Sequence, residues 1–169
     1  PEIGDGTVEI KGIAREAGRR TKIAVMSTVP GVDPVGTFVG GRGIRVQAVM
    51  NEIGDREKID VVTWSDNASE YIREALSPAE AIKVEIDGKK AKVYVSEDQQ
   101  SIAIGSKGQN VRLASKLTGF DIEYSLLLEV SGFQIVHLPA GQTPLEQLRR
   151  GLRDEKFIFV ATAVFHYAH

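Results

Sequence analysis

Apolar positions along this chain change period several times, and each change marks an element. Val46, Val49, Met50 and Ile53 recur at helical spacing and form one stripe of an amphipathic helix. Before that helix, "DPVGTFV" reads as a capped short helix with Pro34 at its first position, and after it "EKIDVVTWS" reads as a strand. "RRTKIAVMSTV" is a strand with Ile23 and Val25 on one face, closed by Pro30 and Gly31. At the head of the chain, "DGTVEIKGIAREAG" offers Asp5 as a cap, apolar Val8, Ile13, Ala14 and Ala17, and Gly18 as a stop, which predicts a helix. The predicted order is helix, strand, short helix, glycine loop, helix, strand.

A second unit repeats that order with an added hairpin. "NASEYIREAL" predicts a helix, and Ser77-Pro78-Ala79-Glu80 after it has the pattern of a capping box. "AIKVEI" and "KAKVYV" flank Asp87-Gly88, a hairpin signal, and Ser96 with Gln99 is a second capping box opening the short helix "EDQQSIAI". Val111, Ala114 and Leu117 carry the next helix stripe, Gly119 stops it, and "FDIEY" is a strand. Aligning the two units matches Gly40 with Gly105, Arg42 with Lys107, Gly43 with Gly108, Val46 with Val111 and Gly54 with Gly119. The pattern is an internal duplication.

Each unit places a G-x-x-G loop at the head of a helix. Glycine lets backbone approach a ligand closely and accepts positive φ, and the helix N-terminus adds unpaired N–H groups and the positive end of its dipole. Such a loop suits phosphate, and Arg42 and Lys107 add charge where those donors point. The net charge of −2 excludes a general polycation, so any attraction for nucleic acid is local. No acidic residue lies between Pro34 and Asn51, where Arg42 and Arg45 stand, or between Gln99 and Phe120, where Lys107, Arg112 and Lys116 stand. "GTFVGGRG" nearly fits the Walker A spacing but has Arg42 in place of the lysine and Gly43 in place of the magnesium-binding hydroxyl.

The 169 residues include no cysteine, which excludes disulfides, thiol nucleophiles and cysteine-ligated zinc. No apolar run approaches a membrane span and no signal peptide is evident, so the cytoplasm is the expected compartment. The chain opens on Pro1 rather than methionine, which leaves open that it is a fragment. His137, His166 and His169 all lie near the C-terminus, where a strand-like pattern sends His166 and His169 to opposite faces and argues against a shared metal. No catalytic constellation, cofactor site or metal site is expected.

Helix, glycine loop and helix beside a small sheet is the KH arrangement, whose loop clamps the backbone of a few nucleotides. From Pro1 to about Tyr124 the sequence resembles the tandem KH region of the NusA family of bacterial transcription factors, through "VEIKGIAREAGRRTKIAV", "GVDPVGTFVGGRGIRVQAVMNEIG", "ALSPA" and "EDQQSIAIGSKGQNVRLASKLTG". The resemblance implies an α+β chain of two type II KH domains, each a small sheet with helices on one face, over residues 1–66 and 67–124. It also implies single-stranded RNA as ligand, with RNA polymerase and other elongation factors as partners through a longer parent, no membrane and no enzymatic activity. By position it makes the loops Gly40, Gly41, Arg42 and Gly43, and Gly105, Ser106, Lys107 and Gly108. Val39, Ile44, Val46, Ile104 and Val111 would line an apolar groove for bases, and Arg45, Gln109, Asn110, Arg112 and Lys116 would flank the phosphates. The first loop departs from the pattern in uncharged Gly41 and in bulky Phe38 before it.

Residues 125–169 carry no resemblance that we identify, but Leu126 to Val130, Phe133 to Leu138 and "KFIFVATAVFHY" read as strands and Thr143 to Leu152 as a capped helix, a ββαβ-like extension. The alternative is a foreign or out-of-frame extension. A protein-interaction module using sheet edges or this extension is the competing function.

Overall fold

The computed structural model describes residues 1–54 and 56–125, together with the backbone of 126, 134–137 and 157–160. The first unit contains β1 (Val8–Glu16), β2 (Arg20–Ser27), α1 (Pro34–Val39), α2 (Ile44–Ile53) and β3 (Lys58–Thr63). The second contains α3 (Ala68–Ala75), β4 (Lys83–Asp87), β5 (Lys90–Val95), α4 (Glu97–Ile104), α5 (Gln109–Thr118) and β6 (Asp121–Leu126). Each unit builds a three-stranded sheet in sequence order, its first pair antiparallel and its second pair parallel. Beyond them, β7 (Gln134–His137) and β8 (Phe157–Val160) pair in parallel. The rest of the expected ββαβ extension, including its helix, lies outside the described residues.

The first segment is a strand, not the expected helix, and a bulge explains both the fold and the misleading pattern. Val8 and Ile10 pair with Ser27 and Val25, but the register then shifts, so that Gly12 meets Ala24, Ile13 meets Ile23 and Ala14 meets Lys22. Lys11 is the extra residue, and it reverses which face each later side chain takes. Gly12, Ala14 and Glu16 thereby join Lys22 and Ala24 on the face turned towards the second unit. Gly18 is the turn of this hairpin, at φ +72°, rather than a helix stop.

The first sheet is covered on both sides. Val8, Ile23 and Val25 pack with Val35 and Phe38 of α1, while Ala24, Val62 and Tyr71 pack with Trp64 and with Leu117 of α5. This explains why Thr21 to Val25 of β2 form an unbroken buried run rather than an alternating one. Gly12 sits so close to the second unit that an added Cβ would lie 3.3 Å from Leu117 Cδ1. The second core gathers Ile72, Leu76, Val93, Val95, Ala103 and Ala114.

Polar groups tie the layers together. Buried Lys22 donates to Asp60 Oδ2 at 3.1 Å and to the Ser77 carbonyl at 2.6 Å, and Arg20 grips the same Asp60 through two bonds of 2.6 and 3.0 Å. Buried Glu57 accepts from Arg15, from Thr21 Oγ1 and from the Gly18 amide, fixing the β1–β2 turn beside the start of β3. Those donors hold its carboxyl down at about 2.

Two expected capping boxes are not made. Ser77 and Pro78 lie in the turns after α3 and open no helix there; α3 itself is capped by Asn67, whose Oδ1 accepts from the Ser69 and Glu70 amides. Ser96 does precede α4, but its side chain does not cap it; Gln99 turns its Oε1 to the Glu80 amide at 3.0 Å. The hairpin loop of the second unit is Gly88 and Lys89, one residue later than Asp87-Gly88, since Asp87 pairs with Lys90.

Candidate nucleic-acid interface

The two glycine loops have nearly the same backbone. Gly40 lies at φ 75°, ψ 165°, Arg42 at φ 55°, ψ 25° and Gly43 at φ 77°, ψ 11°. Gly105, Lys107 and Gly108 repeat these at 74° and 171°, 54° and 33°, and 72° and 16°. Among the described residues Arg42 and Lys107 are the non-glycine residues at positive φ, so each loop holds its basic residue in a strained left-handed turn. Both side chains are exposed at the tip.

The loops start on glycine because nothing larger fits. A Cβ on Gly40 would lie 2.7 Å from Arg45 Cγ, and one on Gly105 would lie 2.8 Å from the Asn110 backbone nitrogen. The Gly40 amide still closes α1 onto the Gly36 carbonyl, and the Gly105 amide closes α4 onto Ser101. The chain then reverses and starts α2 or α5 without a side-chain cap and without an acidic residue in the first turn. By contrast, α3 has Glu70 and α4 has Glu97 and Asp98 in their first turns. The α1, α3 and α4 N-termini therefore each carry a carboxylate, from Asp33, Glu70, or Glu97 and Asp98, whereas the two behind the glycine loops have none and start beside Arg42 or Lys107.

The remaining expected residues divide. Ile44 stands out into solvent at 70% exposure, and Val39 and Val46 are half-buried beside the first loop. Ile104 and Val111 pack partly against the second core. Gly41 and Ser106 are exposed at the loop tips, and Lys116 is exposed on α5. Arg45 donates to Glu2 Oε2 at 2.7 Å and to the Thr37 carbonyl at 2.9 Å, bracing α1.

Asn110 corrects the expectation outright. It is buried, with Nδ2 donating to the carbonyls of Leu76, Ala103 and Ile102 at 2.8, 3.2 and 3.3 Å. It ties the ends of α3 and α4 to α5 and offers its amide to nothing outside.

Gln109 and Arg112 point across the junction between the units. Gln109 Nε2 donates to Glu16 Oε2 at 2.8 Å and Arg112 Nε to Glu16 Oε1 at 2.6 Å, while Arg112 Nη1 donates to the Lys107 carbonyl at 3.0 Å. The Arg112 hydrogen bond, helped by Gln109, holds the Glu16 carboxyl at about 2 against the burial that would raise it. Glu16 and Glu2 were not foreseen as neighbours of the loops. The register that brings Glu16 there depends on the bulge at Lys11, whose local trace is the strand glycine Gly12.

Among the described residues there is no group of three or more metal-ligating side chains, and no helix is long and apolar enough to cross a membrane. The side chains of His137, His166 and His169 lie outside the described residues.

Two duplicated sheet-and-helix units with a G-x-x-G loop between paired helices define a tandem KH protein. Residues 1–64 match the NusA-like first KH domain and residues 68–127 the NusA-like second KH domain. The chain belongs to the NusA family, as its tandem KH region.

Relatives named transcription termination/antitermination protein NusA agree with that assignment. The Thermus thermophilus protein is 51% identical over 157 residues, covering 92% of this chain and 40% of its own length. Those of Halalkalibacterium halodurans and Bacillus subtilis are 53% and 52% identical over 125 residues, covering 73% of this chain and 32% and 33% of theirs. This chain thus spans two-fifths or less of these relatives. The Thermus match necessarily extends beyond residue 124, so the C-terminal segment, which carried no recognised resemblance, has a counterpart in a relative. A solved structure described as "Crystal structure of APE1850" shares the fold, with TM-score 0.52 at 22% identity over 73% of this chain and 91% of that one.

Proposed function

We propose that this chain binds single-stranded RNA through both glycine loops, within a bacterial transcription elongation, termination and antitermination factor that acts with RNA polymerase and other elongation factors in the cytoplasm. The observation that carries the reading is the duplicated loop, with one left-handed basic residue at the head of a helix that has no acidic first turn. An RNA phosphate would meet amide donors, a helix dipole and Arg42 or Lys107 together. Exposed Ile44 and half-buried Val39 and Val46 give bases an apolar surface beside the first loop, and Ile104 and Val111 flank the second. The role is non-catalytic and requires no cofactor: the loops hold a backbone. Arg45, Gln109 and Arg112 support the loops through the bonds described above, and Lys116 adds charge from α5.

Binding of a labelled single-stranded RNA of about a dozen nucleotides, at two salt concentrations, tests the reading against Ser106→Asp/Lys107→Asp and Gly41→Asp/Arg42→Asp. Salt-sensitive binding weakened by either pair supports it. Binding indifferent to both pairs sinks it and favours a protein-interaction module using the sheet edges or the C-terminal segment.

A further inference from the structure

The two loops differ in what stands behind them. In the first unit, the positions matching Gln109 and Arg112 are Ile44, which is largely solvent-exposed, and Gln47, whose Nε2 donates to Asn51 Oδ1 at 2.9 Å along its own helix. In the second, both side chains converge on one carboxylate supplied by the other unit. Glu16 ends β1, and the bulge at Lys11 turns it to the inter-unit face. Its side chain is 16% exposed and that of Arg112 34%, so the pair is only partly screened by water.

Arg112 is the link. Its Nε is fixed by Glu16, which fixes the plane of the guanidinium, and its Nη1 then meets the carbonyl of Lys107. That carbonyl belongs to the residue held at φ +54°, in the conformation the loop needs and an L-residue resists. A donor aimed at the carbonyl supports the strained peptide.

We infer that Glu16 is a positioning residue for the second loop, through which the first unit sets the geometry that the second presents to an RNA phosphate. The inference rests on the RNA-binding reading. Glu16 acts on RNA only through Arg112 and the Lys107 peptide, and it prevents Arg112 from being a freely swinging phosphate ligand.

Charge and geometry predict opposite signs. If Glu16 were only a nearby negative charge, Glu16→Gln would strengthen RNA binding by removing repulsion. If it positions the loop, Glu16→Gln weakens binding about five- to tenfold, as expected when a charge-assisted brace becomes a neutral one. Glu16→Asp, which keeps the charge but shortens the side chain, also weakens it. The full chain is titrated with a 12-nucleotide single-stranded RNA, and the amide resonances of Gly105 to Gly108 are compared between wild type and both variants without RNA. The expected result is a shift at those amides with Gly40 to Gly43 unmoved, weaker binding, and an unchanged salt slope, whereas Lys107→Gln lowers the slope. Arg112→Gln combined with Glu16→Gln should be no worse than either alone, since both break one relay. Equal or tighter binding by Glu16→Gln, or unmoved Gly105 to Gly108 amides in both variants, overturns the inference. If the wild type itself fails to bind RNA, the functional reading fails, and the RNA-free amide comparison still decides whether Glu16 sets the loop.

Discussion

Replacing the first glycine of each loop by alanine separates two kinds of crowding in otherwise matching backbones. Both residues sit at positive φ with ψ near extended, at 75° and 165° for Gly40 and 74° and 171° for Gly105, a region essentially reserved for glycine. Forcing an alanine there costs about 1–3 kcal/mol in either loop. The steric surroundings then differ. At Gly40 the new Cβ meets Arg45 Cγ at 2.7 Å, the stem of a long exposed side chain that can move aside by giving up Glu2. At Gly105 it meets the Asn110 backbone nitrogen and Cβ at 2.8 Å, on a residue locked by three hydrogen bonds. Overpacking against groups that cannot yield adds about 1–3 kcal/mol. Gly105→Ala should therefore destabilise by about 2–6 kcal/mol and Gly40→Ala by about 1–3 kcal/mol. Gly41→Ala, with no neighbour within 4 Å and no positive φ, should be close to neutral. Urea denaturation of the three variants, followed by circular dichroism and by fluorescence of Trp64, supplies the ranking. A Gly105→Ala protein as stable as Gly40→Ala would show that the second loop relaxes freely, and the account of why it starts on glycine would be wrong.

Other consequences follow from the buried polar groups. Glu16 and Glu57 are both held at about 2 against an ordinary value of 4.5. A carboxylate depressed on folding contributes stability that is full above 4.5 and lost as pH falls towards 2, so denaturation midpoints should drop steeply below pH 4.5 and less steeply in Glu57→Gln. Lys22→Met should destabilise by about 1–3 kcal/mol, because the Ser77 carbonyl loses its donor while Asp60 keeps Arg20; a neutral result in urea titration would show that the strut contributes nothing. Asn110→Ala should cost about 2–3 kcal/mol and leave the salt slope of RNA binding unchanged. A lower slope would return Asn110 to the phosphate path. Lys107→Gln should reduce that slope by about 0.7, the value for one phosphate contact on a single strand, as read from affinities at several salt concentrations.

The parts of this fold that were legible are those written locally. Pro34 at the head of α1, the apolar stripes of α2 and α5 and the paired glycines at each loop act within a few residues, so these helices and loops could be placed from spacing alone. The segment Val8–Glu16 failed because its alternation breaks at Lys11, and a strand with one inverted half looks like a short helical stripe. Coverage of the first sheet on both faces was invisible for a related reason. Ala24 and Gly12 are small because Tyr71 and Leu117 of the next unit lie against their face, and only the assembled chain shows that. In the site, the loops were readable but the roles of Asn110, Gln109 and Arg112 were not. Their polar character suits an RNA path as well as a junction, and their partners lie up to 96 positions away in sequence.

The most direct test of the central claim is to follow every backbone amide of the full chain during titration with a 12-nucleotide single-stranded RNA. Binding through the clamps predicts that the largest shifts fall at Gly40 to Gly43 and Gly105 to Gly108, with smaller ones along the first turns of α2 and α5. Shifts confined to the edge strands or to residues beyond 126, with both loops silent, would contradict it.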